Sequence, residues 1–337
     1  MQGTKDLIQV WGPLLISLTI TDEKGVESDK LIVTLDDLDG QCAYPGTGQI
    51  VKASGGYRGE GKRVEGEFEI DQVDLEGWPQ RITLHGTPVS AKKATKERKT
   101  EAHKKADTKT VGDLMTKIAK RNGWQPKVAP EIAKIPLEYE GQAGEFDTQF
   151  ATRIAARYGG ILTVKQGRMV VTKSGSGTTA SGQALPPLEV APGLNLITYR
   201  VSEKKREAHG KVQAHTFDRK DVKRIDVDAG QGEITYKLRE PFKSRDEAKK
   251  AAEAKLSNLN RGALTATFEI EGEPDAAAER PVTVSGIRTK VDGTWNTTRA
   301  EHRFENDSYT VTLECETPGA KDEAKAESKN QTKAEAK

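Results

Sequence analysis

Alternating apolar and polar residues predict a series of short strands in the first part of the chain. Val64, Gly66, Phe68 and Ile70 alternate with polar residues, which is the period of a half-buried strand. Glycine and proline turn signals separate this run from its neighbours. We therefore expect residues 1–91 to form a small β-barrel or sandwich. The predicted strands are Leu14–Ile20, Leu31–Leu35, Gln49–Ala53, Val64–Leu75 and Arg81–Thr87.

A helical period replaces this alternation in the middle of the chain. Thr110 and Asp113 have the spacing of a capping box, and the apolar residues that follow them lie on one helical face. A second apolar helical face covers residues 146–158, and a tight hairpin is predicted over residues 161–173. Residues 110–173 are therefore predicted to form an α+β domain.

Strand signals return in residues 194–316, around one inserted helix. Ser244 and Glu247 have capping-box spacing, and a narrow stripe rich in alanine follows them. We expect a second β-barrel domain that resembles the first. Its predicted strands are Leu264–Ile270, Val282–Ile287, Arg299–Phe304 and Tyr309–Cys315.

Three further segments are predicted to have no core of their own. Residues 92–109 are rich in lysine and arginine, which predicts a basic connector. Residues 174–193 are rich in glycine, serine, threonine and proline, which is typical of a linker. Residues 317–337 contain no aromatic residue and are predicted to be a disordered tail. The predicted fold class is β-rich α+β, with two similar small β-barrel or sandwich domains separated by an α+β domain.

One sequence match indicates that the two β domains are related. Two pairs of short segments align without a gap at a constant offset of 200 residues, from 68 to 268. Short β motifs also coincide by chance, so the match is a weak observation. If it marks a repeat, the first and third domains are copies of one barrel. The aligned segments are Phe68–Ile70 with Phe268–Ile270 and Ile82–Gly86 with Val282–Gly286.

Composition indicates thin cores and no global affinity for nucleic acid or membranes. Hydrophobic residues make up 34% of the 337 residues and aromatic residues 5%, which favours a β-rich protein or one that buries apolar surface against partners. The formal net charge of +2 gives no general attraction to nucleic acid. The run Pro13–Ile20 is too short to cross a bilayer, and no signal peptide is predicted. We expect no membrane insertion and assembly in a cytoplasm.

The motifs that resemble binding loops do not have the residues that binding requires. Gly56–Lys62 has the spacing of a phosphate-binding loop, but Arg63 stands where Ser or Thr would bind magnesium, so a hairpin loop is favoured. Asp36–Gly40 fails the spacing of a calcium loop and predicts a polar turn. Cys42 and Cys315 are expected to be free thiols rather than a disulfide.

The histidines do not form a recognisable catalytic or metal centre. No pair has the HExxH spacing, and no serine lies in a GxSxG motif. His209 and His215 are considered as metal ligands, but their spacing along a strand-like stretch sets them far apart. We expect no catalytic residue, no metal ligand and no cofactor, and a protein that is not an enzyme. The five histidines are His85, His103, His209, His215 and His302.

Taken together, the order and spacing of the motifs resemble the phage late control D family of baseplate hub proteins. The resemblance covers residues 6–316. It is carried by Leu35-Asp36-Asp37, Pro45-Gly46, Gly66–Val73 and Ile82–Gly86 in the first domain, by Thr110–Leu114, Gln142–Asp147 and Tyr158-Gly159-Gly160 in the second, and by Asp292–Trp295, His302 and Tyr309–Leu313 in the third.

This resemblance implies a structural hub in the baseplate of a contractile phage tail. The family forms a homotrimer with two related barrels per subunit, which implies a pseudo-sixfold face towards the tail tube and a threefold face towards a trimeric spike. The implied partners are the trimeric tail spike protein, the tail tube or tube-initiator protein, the tape-measure protein and other baseplate proteins. DNA is expected to pass through a central channel without specific binding. The implied location is the virion, in the tail baseplate.

Two other functions stay open on the sequence alone. The hub of a related injection machine, such as a type VI secretion spike or a phage-derived bacteriocin, has the same architecture. Thr110–Leu114, Ile118-Ala119 and Gly123 also resemble the start of a LysM-type module. The second alternative is therefore a peptidoglycan-binding accessory protein.

Overall fold

A computed structural model describes most of the chain and confirms its β-rich α+β class. The described residues are 6–25, 29–57, 59, 64–89, 97–165, 167–179, 181, 183–203, 210–218, 223–260 and 264–318. Within them, strands outnumber helices and four separate groups of buried apolar residues mark four cores. The predicted tail beyond Pro318 lies outside the described residues.

Five strands form the first unit of the structure. After a short helix, α1 (Ile8–Trp11), and a 3₁₀ turn (Gly12–Leu14), these strands lie in the order β1-β2-β5-β4-β3, and every pairing is antiparallel. The fully buried side chains of this unit include Leu31, Leu35, Ile70, Ile82 and Leu84. All five predicted strands are confirmed. Their bounds are β1 (Leu15–Glu23), β2 (Lys30–Asp36), β3 (Ile50–Gly55), β4 (Val64–Glu76) and β5 (Arg81–Pro88).

The middle of the chain forms an α+β block with its own core. The Thr110 hydroxyl accepts a hydrogen bond from the Asp113 backbone N–H, and the Asp113 carboxylate accepts one from Thr110, so the predicted capping box is confirmed. The elements are β6 (Arg98–Lys104), α2 (Val111–Arg121), β7 (Gln125–Val128), α3 (Pro130–Ala133), β8 (Tyr139–Phe146), α4 (Asp147–Arg157), β9 (Gly160–Lys165) and β10 (Arg168–Lys173).

Two helices of this block pack on a three-stranded sheet. Helix α2 contacts β7, helix α4 contacts β9, and the strands lie in the order β7-β10-β9. The side chains buried between the layers include Leu114, Ile118, Phe150 and Ile154. Strand β6 pairs with β8 in a separate two-stranded sheet. The two predicted helices and the predicted hairpin are confirmed.

A second β-rich part follows, and a separate three-stranded sheet with one helix interrupts it once. After β11 (Leu188–Val190) and β12 (Leu196–Glu203), the chain forms β13 (Lys211–Asp218), β14 (Lys223–Gly230), β15 (Thr235–Phe242) and helix α5 (Arg245–Asn260). These three strands form their own sheet in the order β14-β13-β15, and α5 covers it with alanines. The predicted inserted helix is confirmed, and it comes with three strands that the sequence pattern does not predict.

The remaining strands return to the large sheet and repeat the order of the first unit. They are β16 (Leu264–Glu271), β17 (Pro281–Val284), β18 (Gly293–Phe304) and β19 (Tyr309–Glu316). With β12 they form the order β12-β16-β19-β18-β17, again with only antiparallel pairs. In both units the first strand lies beside the second, the second beside the fifth, the fifth beside the fourth and the fourth beside the third. Strand β11 adds to this second unit by pairing parallel with β17.

Irregularities in the strand pairing fall at matching places in the two units. The fourth strand slips against the fifth between Ile70 and Gln72 in the first unit, and between Thr297 and Arg299 in the second. A further shared slip lies near the start of each first strand. Because a β-bulge fixes the local register of both strands, these slips align the two units residue by residue.

This alignment differs from the sequence match at the offset of 200 residues. Phe68 lies in the fourth strand of its unit, whereas Phe268 lies in the second strand of its own. By register, Phe68 corresponds to Trp295, since each lies two residues before the shared bulge and opposite a valine of the third strand, Val51 or Val282. The offset match therefore pairs strands that are not equivalent, while the strand order itself supports a repeat.

Strand β1 joins the two units into one sheet. Its residues Leu18–Glu23 pair antiparallel with Arg299–Phe304 of β18, so the strand order runs β12-β16-β19-β18-β1-β2-β5-β4-β3. We call this pairing the seam. Opposite each other at the seam lie Ile20 and His302, which are 4% and 1% exposed.

Two segments that the sequence predicts to be connectors contribute strands. Within residues 92–109, β6 turns the His103 ring onto Phe150, with 5.2 Å between the ring centroids. Within residues 174–193, Leu188–Val190 forms β11. Strand β6 is polar and is stabilised mainly by β8 beside it. Strand β11 buries Leu188 and Val190 in the core, but it has only three residues.

Candidate functional site

Two strands occupy the places that β1 and β18 occupy at the seam, but each has an edge with no strand beside it in the described part of the chain. The outer edge of β12, the counterpart of β1, lies at one end of the strand order. The outer edge of β4 is covered by β3 only over residues 64–69. Residues Gln72–Glu76, the counterpart of the covered part of β18, therefore have an open edge. Open strand edges carry backbone groups that are able to pair with another chain.

Large apolar side chains are exposed at both edges. On the β4 side, Leu75 is 64% exposed, and Trp78 in the turn that follows β4 is 83% exposed. On the β12 side, Ile197 is 53% exposed and Tyr199 is 42% exposed. Isolated exposed apolar residues are ordinary in proteins, but groups of them mark interaction surfaces. Their position along two open strand edges makes these edges the candidate functional site.

A second candidate, the polar cluster of the α+β block, is internally satisfied. Arg121 Nη1 lies 2.7 Å from Glu101 Oε2, Arg121 Nε lies 2.9 Å from Asp147 Oδ2, and Lys117 Nζ lies 2.6 Å from Glu101 Oε1. Gln142 Nε2 donates a further hydrogen bond of 3.0 Å to Asp147 Oδ1. These contacts fix the start of α4 and the end of α2 against β6 and β8.

The acids of this cluster are held ionised rather than ready to transfer a proton. The hydrogen bond from Lys117 is the largest influence on Glu101 and helps to lower the pKa of Glu101 to about 2. Burial alone would raise the pKa of Asp147, but hydrogen bonds from Gln142 and its neighbours outweigh burial and lower it. A general acid or base needs a pKa near the working pH, so the cluster supports a structural role.

The described histidines are bound into the fold. His302 Nδ1 lies 2.9 Å from the Tyr309 hydroxyl, and burial lowers the pKa of His302 to about 4. His85 Nε2 lies 3.0 Å from Asp74 Oδ2. The ring of His215 packs edge-on against Phe217. His209 lies outside the described residues, so the considered pair with His215 stays untested.

The structure confirms the polar turn at residues 36–40 and the two free cysteines. The Asp37 carboxylate accepts a hydrogen bond of 2.8 Å from the Cys42 backbone N–H, and Gly40 takes a φ of 63°, so residues 36–40 form a polar turn. Cys42 and Cys315 are free thiols. Much of the loop that resembles a phosphate site, including Lys62, lies outside the described residues.

Ion pairs tie the α+β block to the first unit and tie the two units together. The Lys165 ammonium group, at the end of β9, contacts the Asp22 carboxylate and lies 3.2 Å from Asp29 Oδ1. Lys24 Nζ, beside the seam, lies 2.7 Å from Glu316 Oε1 of the second unit. These charges lie at the junction of three of the four cores and restrain their relative positions.

The described residues contain no group of three or more His, Cys, Asp and Glu side chains placed to hold a metal ion. They also contain no helix that is long and apolar enough to cross a membrane.

The open edges were not predicted from the sequence. Neither β12 nor the end of β4 carries a motif, because an edge becomes visible only when its neighbours are known. The sequence does contain a signal for strand β12, because aliphatic, aromatic and β-branched residues dominate the run Leu196–Val201. It follows a linker-like segment directly and was assigned to no strand.

A family model and known proteins match this chain over most of its length. The model of the phage tail baseplate hub (GPD) matches residues 98–308. A probable baseplate hub protein of Escherichia phage 186 is 28% identical over 370 residues, which cover 97% of this chain and 94% of that protein.

Solved structures share the fold at low sequence identity. The 43 kDa tail protein of prophage MuSo2 from Shewanella oneidensis has a TM-score of 0.64 and 13% identity, covering 89% of this chain and 93% of that one. A component of the E. coli type VI secretion system, described as structurally similar to the bacteriophage T4 tail proteins gp27 and gp5, has a TM-score of 0.56 and 11% identity. The match covers 91% of this chain and 74% of that one.

Proposed function

Because the chain belongs to the phage tail baseplate hub (GPD) family, we propose that it is the structural hub that adapts a sixfold tail tube to a trimeric spike. In this role three chains form a ring beneath the tube. Each chain contributes two related β units, and a central channel lets DNA pass. Its partners are the tail tube or tube-initiator protein, the tape-measure protein, the trimeric spike and other baseplate proteins. The protein acts within the virion tail after assembly in the host cytoplasm.

The observation that carries this proposal is the repeated strand order of the two units. Both units have five strands with the same neighbours, the same antiparallel directions and matching bulges. Three chains with two such units each provide six similar surfaces, which is what a contact with a sixfold tube requires. In this proposal, the two five-stranded units of each chain correspond to the two β-barrels that the sequence predicts.

The domain limits stay part of the proposal. We assign residues 1–91 and 194–316 to the hub units, 110–173 to the α+β domain, and 92–109, 174–193 and 317–337 to connecting and terminal segments. The basic segment is expected to lie mainly outside the channel, because a strongly basic channel wall would bind the phosphates of passing DNA tightly. In support of this, β6 of that segment pairs with β8 of the α+β block.

The hub of a type VI secretion machine or of a phage-derived bacteriocin is the main alternative, since the fold is shared with a type VI component. Gene neighbourhood separates these machines: spike, tube and tape-measure genes beside this gene support the phage tail. A peptidoglycan-binding accessory protein is the second alternative. Sedimentation with purified peptidoglycan tests it, and retention of the pure protein by the pellet would favour it.

Deletion of the gene from the genome that encodes it tests the hub function directly. We expect induced cells to contain no complete contractile tails by negative-stain electron microscopy, and a plasmid copy to restore them. Light scattering of the pure protein tests the ring, with three times the chain mass expected. Normal tails in the deletion strain would contradict the hub function, and a mass of one chain at micromolar concentration would contradict spontaneous trimerisation.

A further inference from the structure

The chain contains one complete seam and the two separate halves of another. We propose that the outer edge of β12 in one chain pairs antiparallel with Gln72–Glu76 of β4 in a second copy of this chain. This contact repeats between chains the seam that β1 and β18 form within a chain. The inference rests on the proposed hub, and it specifies which strands and which residues join its subunits.

The first half of the argument is that β12 occupies the place of β1. Leu18 of β1 lies opposite Val33 of the second strand, and Tyr199 of β12 lies opposite Phe268 of its own second strand. One pair further, Thr19 corresponds to Arg200, and two pairs further, Ile20 corresponds to Val201. Strand β1 uses its other edge to pair with β18, whereas the corresponding edge of β12 is open in the described part of the chain.

The second half of the argument is that the end of β4 occupies the place of the end of β18. Three residues after the shared bulge begins, Val73 lies opposite Leu84, and Ala300 lies opposite Leu313. Counting on from these pairs, Leu75 corresponds to His302. In β18 the outer edge of this stretch is covered by β1, and in β4 it is open among the described strands.

The register of the new seam follows from the existing one. Within the chain, Ile20 lies opposite His302 and Thr19 opposite Arg303. Transferred to the counterparts, Val201 of one chain lies opposite Leu75 of the other. The pair that corresponds to Thr19 and Arg303 is Arg200 with Glu76.

The side chains at these positions fit this register. Arg200 and Glu76 are both exposed and opposite in charge, and direct cross-strand pairs of this kind are favourable. Leu75 is 64% exposed in the single chain, whereas its counterpart His302 is 1% exposed at the seam. Pairing would place Val201 opposite Leu75, as Ile20 lies opposite His302 at the seam. A shift of the register by one residue would put Val201 and Leu75 on opposite faces of the sheet, and would separate Arg200 from Glu76 in the same way.

The contact is heterologous, because it joins two different edges. A heterologous contact that repeats with the same rotation closes a ring or continues as a filament. The seam inside each chain supplies every second contact of such a ring, and the seam between chains supplies the others. Six units from three chains are consistent with this alternation.

Disulfide trapping tests the pairing by residue. Leu75→Cys is made in one chain, and Val201→Cys is made in another chain that carries a longer tag. Both chains also carry Cys42→Ser, which removes the more accessible native thiol. Cys315 is kept, because it is buried and burial raises its thiol pKa to about 12. Directly opposite residues of antiparallel strands have Cα atoms roughly 4.5–5.5 Å apart, which lies within the range for a disulfide. After mixing and mild oxidation we expect a covalent dimer of one short and one long chain on non-reducing gels.

A neighbouring position provides the matched control. Ser202→Cys, mixed with the same Leu75→Cys chain, places the thiol on the opposite face of β12. We expect little dimer from this mixture. Equal yields from the two mixtures, or no dimer from the first mixture, would overturn the proposed register.

Charge exchange tests the pairing without a covalent bond. Arg200→Glu and Glu76→Arg each place like charges opposite each other, and we expect each to weaken assembly by about tenfold or more in mass photometry. The double variant restores the pair and should recover assembly. Lys237→Glu, an exposed change on β15, serves as control. Trimers that form equally well in all variants would overturn the pairing while leaving the hub function intact.

Discussion

The imidazole of His302 is held by a strand and a loop, with Nδ1 2.9 Å from the hydroxyl oxygen of Tyr309 in β19 and Nε2 3.0 Å from the backbone oxygen of Ala276 between β16 and β17. The Phe304 and Tyr309 rings stack nearby with centroids 4.2 Å apart. The side chain is thus fixed at the seam by two hydrogen bonds, and water does not reach it. Burial is the reason that the pKa of His302 falls from 6.5 to about 4.

This burial makes the stability of the seam dependent on pH. A histidine whose pKa is lowered on folding contributes stability above its unfolded pKa, and that contribution is lost as the pH falls from 6.5 through 4. The loss amounts to roughly 3 kcal/mol at full protonation. Urea unfolding of the wild type and of His302→Gln at several pH values measures it. A difference between the two proteins that is the same at pH 7 and pH 4 would contradict this prediction.

Phe68 and Trp295 hold equivalent positions, so truncation of either should have a similar cost. We expect Phe68→Ala and Trp295→Ala each to lower the free energy of unfolding by about 3–5 kcal/mol, because each removes a buried aromatic ring. Chemical denaturation followed by circular dichroism measures the change. Leu38→Ala, at a residue that is 64% exposed, should change stability little. A large loss from only one of the two aromatic positions would show that the units do not depend on them equally.

Asp147 is expected to be a structural residue of the α+β block. Asp147→Ala leaves the partly buried Arg121 guanidinium without its main partner, and we expect a loss of about 2 kcal/mol in the free energy of unfolding. Glu138→Ala breaks the exposed pair with Lys105, and the loss should be clearly smaller because solvent screens that pair. Thermal unfolding of both variants compares them. Equal small losses would mean that the Asp147 cluster contributes no more than a surface pair.

Truncation should leave the folded part intact. The segment after Glu316 has no aromatic residue to bury, so removal of residues 317–337 should change Tm by less than about 2 °C. The backbone N–H of Thr317 lies 3.2 Å from the Leu264 carbonyl oxygen. Truncation after Pro318 keeps this contact and is the matched comparison. A drop of several degrees in both proteins would show that the removed residues pack against the rest.

The pure protein should not cleave cell walls. Among the described residues, Glu101, Asp147 and His302 are engaged in hydrogen bonds within the fold, which is a structural arrangement rather than that of a nucleophile with its base. We expect no muropeptide release and no clearing of a cell-wall suspension over hours. A muropeptide signal that persists after repurification would refute this expectation.

The sequence predicted the elements that carry their own signal. The five strands of the first unit alternate clearly, and the capping box at Thr110 marked the start of α2. Strand β6 was missed because it has few apolar residues and depends on the strand beside it. Strand β11 was missed because it has only three residues and follows a linker-like segment. The three strands before α5 were missed because polar and charged residues make up half or more of each.

The sequence match indicated that the two units are related, but it aligned residues that are not equivalent in the structure. Phe68-Glu69-Ile70 and Phe268-Glu269-Ile270 are alike as sequences, but they lie in strands with different neighbours. The true counterparts, such as Phe68 and Trp295, share size and burial rather than identity. Core packing conserves volume and orientation more strictly than residue type, so only the hydrogen-bonded register shows which residues correspond. The candidate edges could not be predicted for the same reason, since pairing alone defines an edge.

The seam between β1 and β18 also affects how a ring of such units would assemble. Because both strands belong to one polypeptide, they meet at an effective concentration that the chain itself sets, and dilution does not separate them. A ring of six separate units needs five encounters between molecules, whereas three double units need only two. Each encounter that is avoided also avoids the loss of translational and rotational freedom that it would cost. In the proposed ring, fusing two units in one chain therefore reduces the number of assembly steps and the concentration that assembly requires.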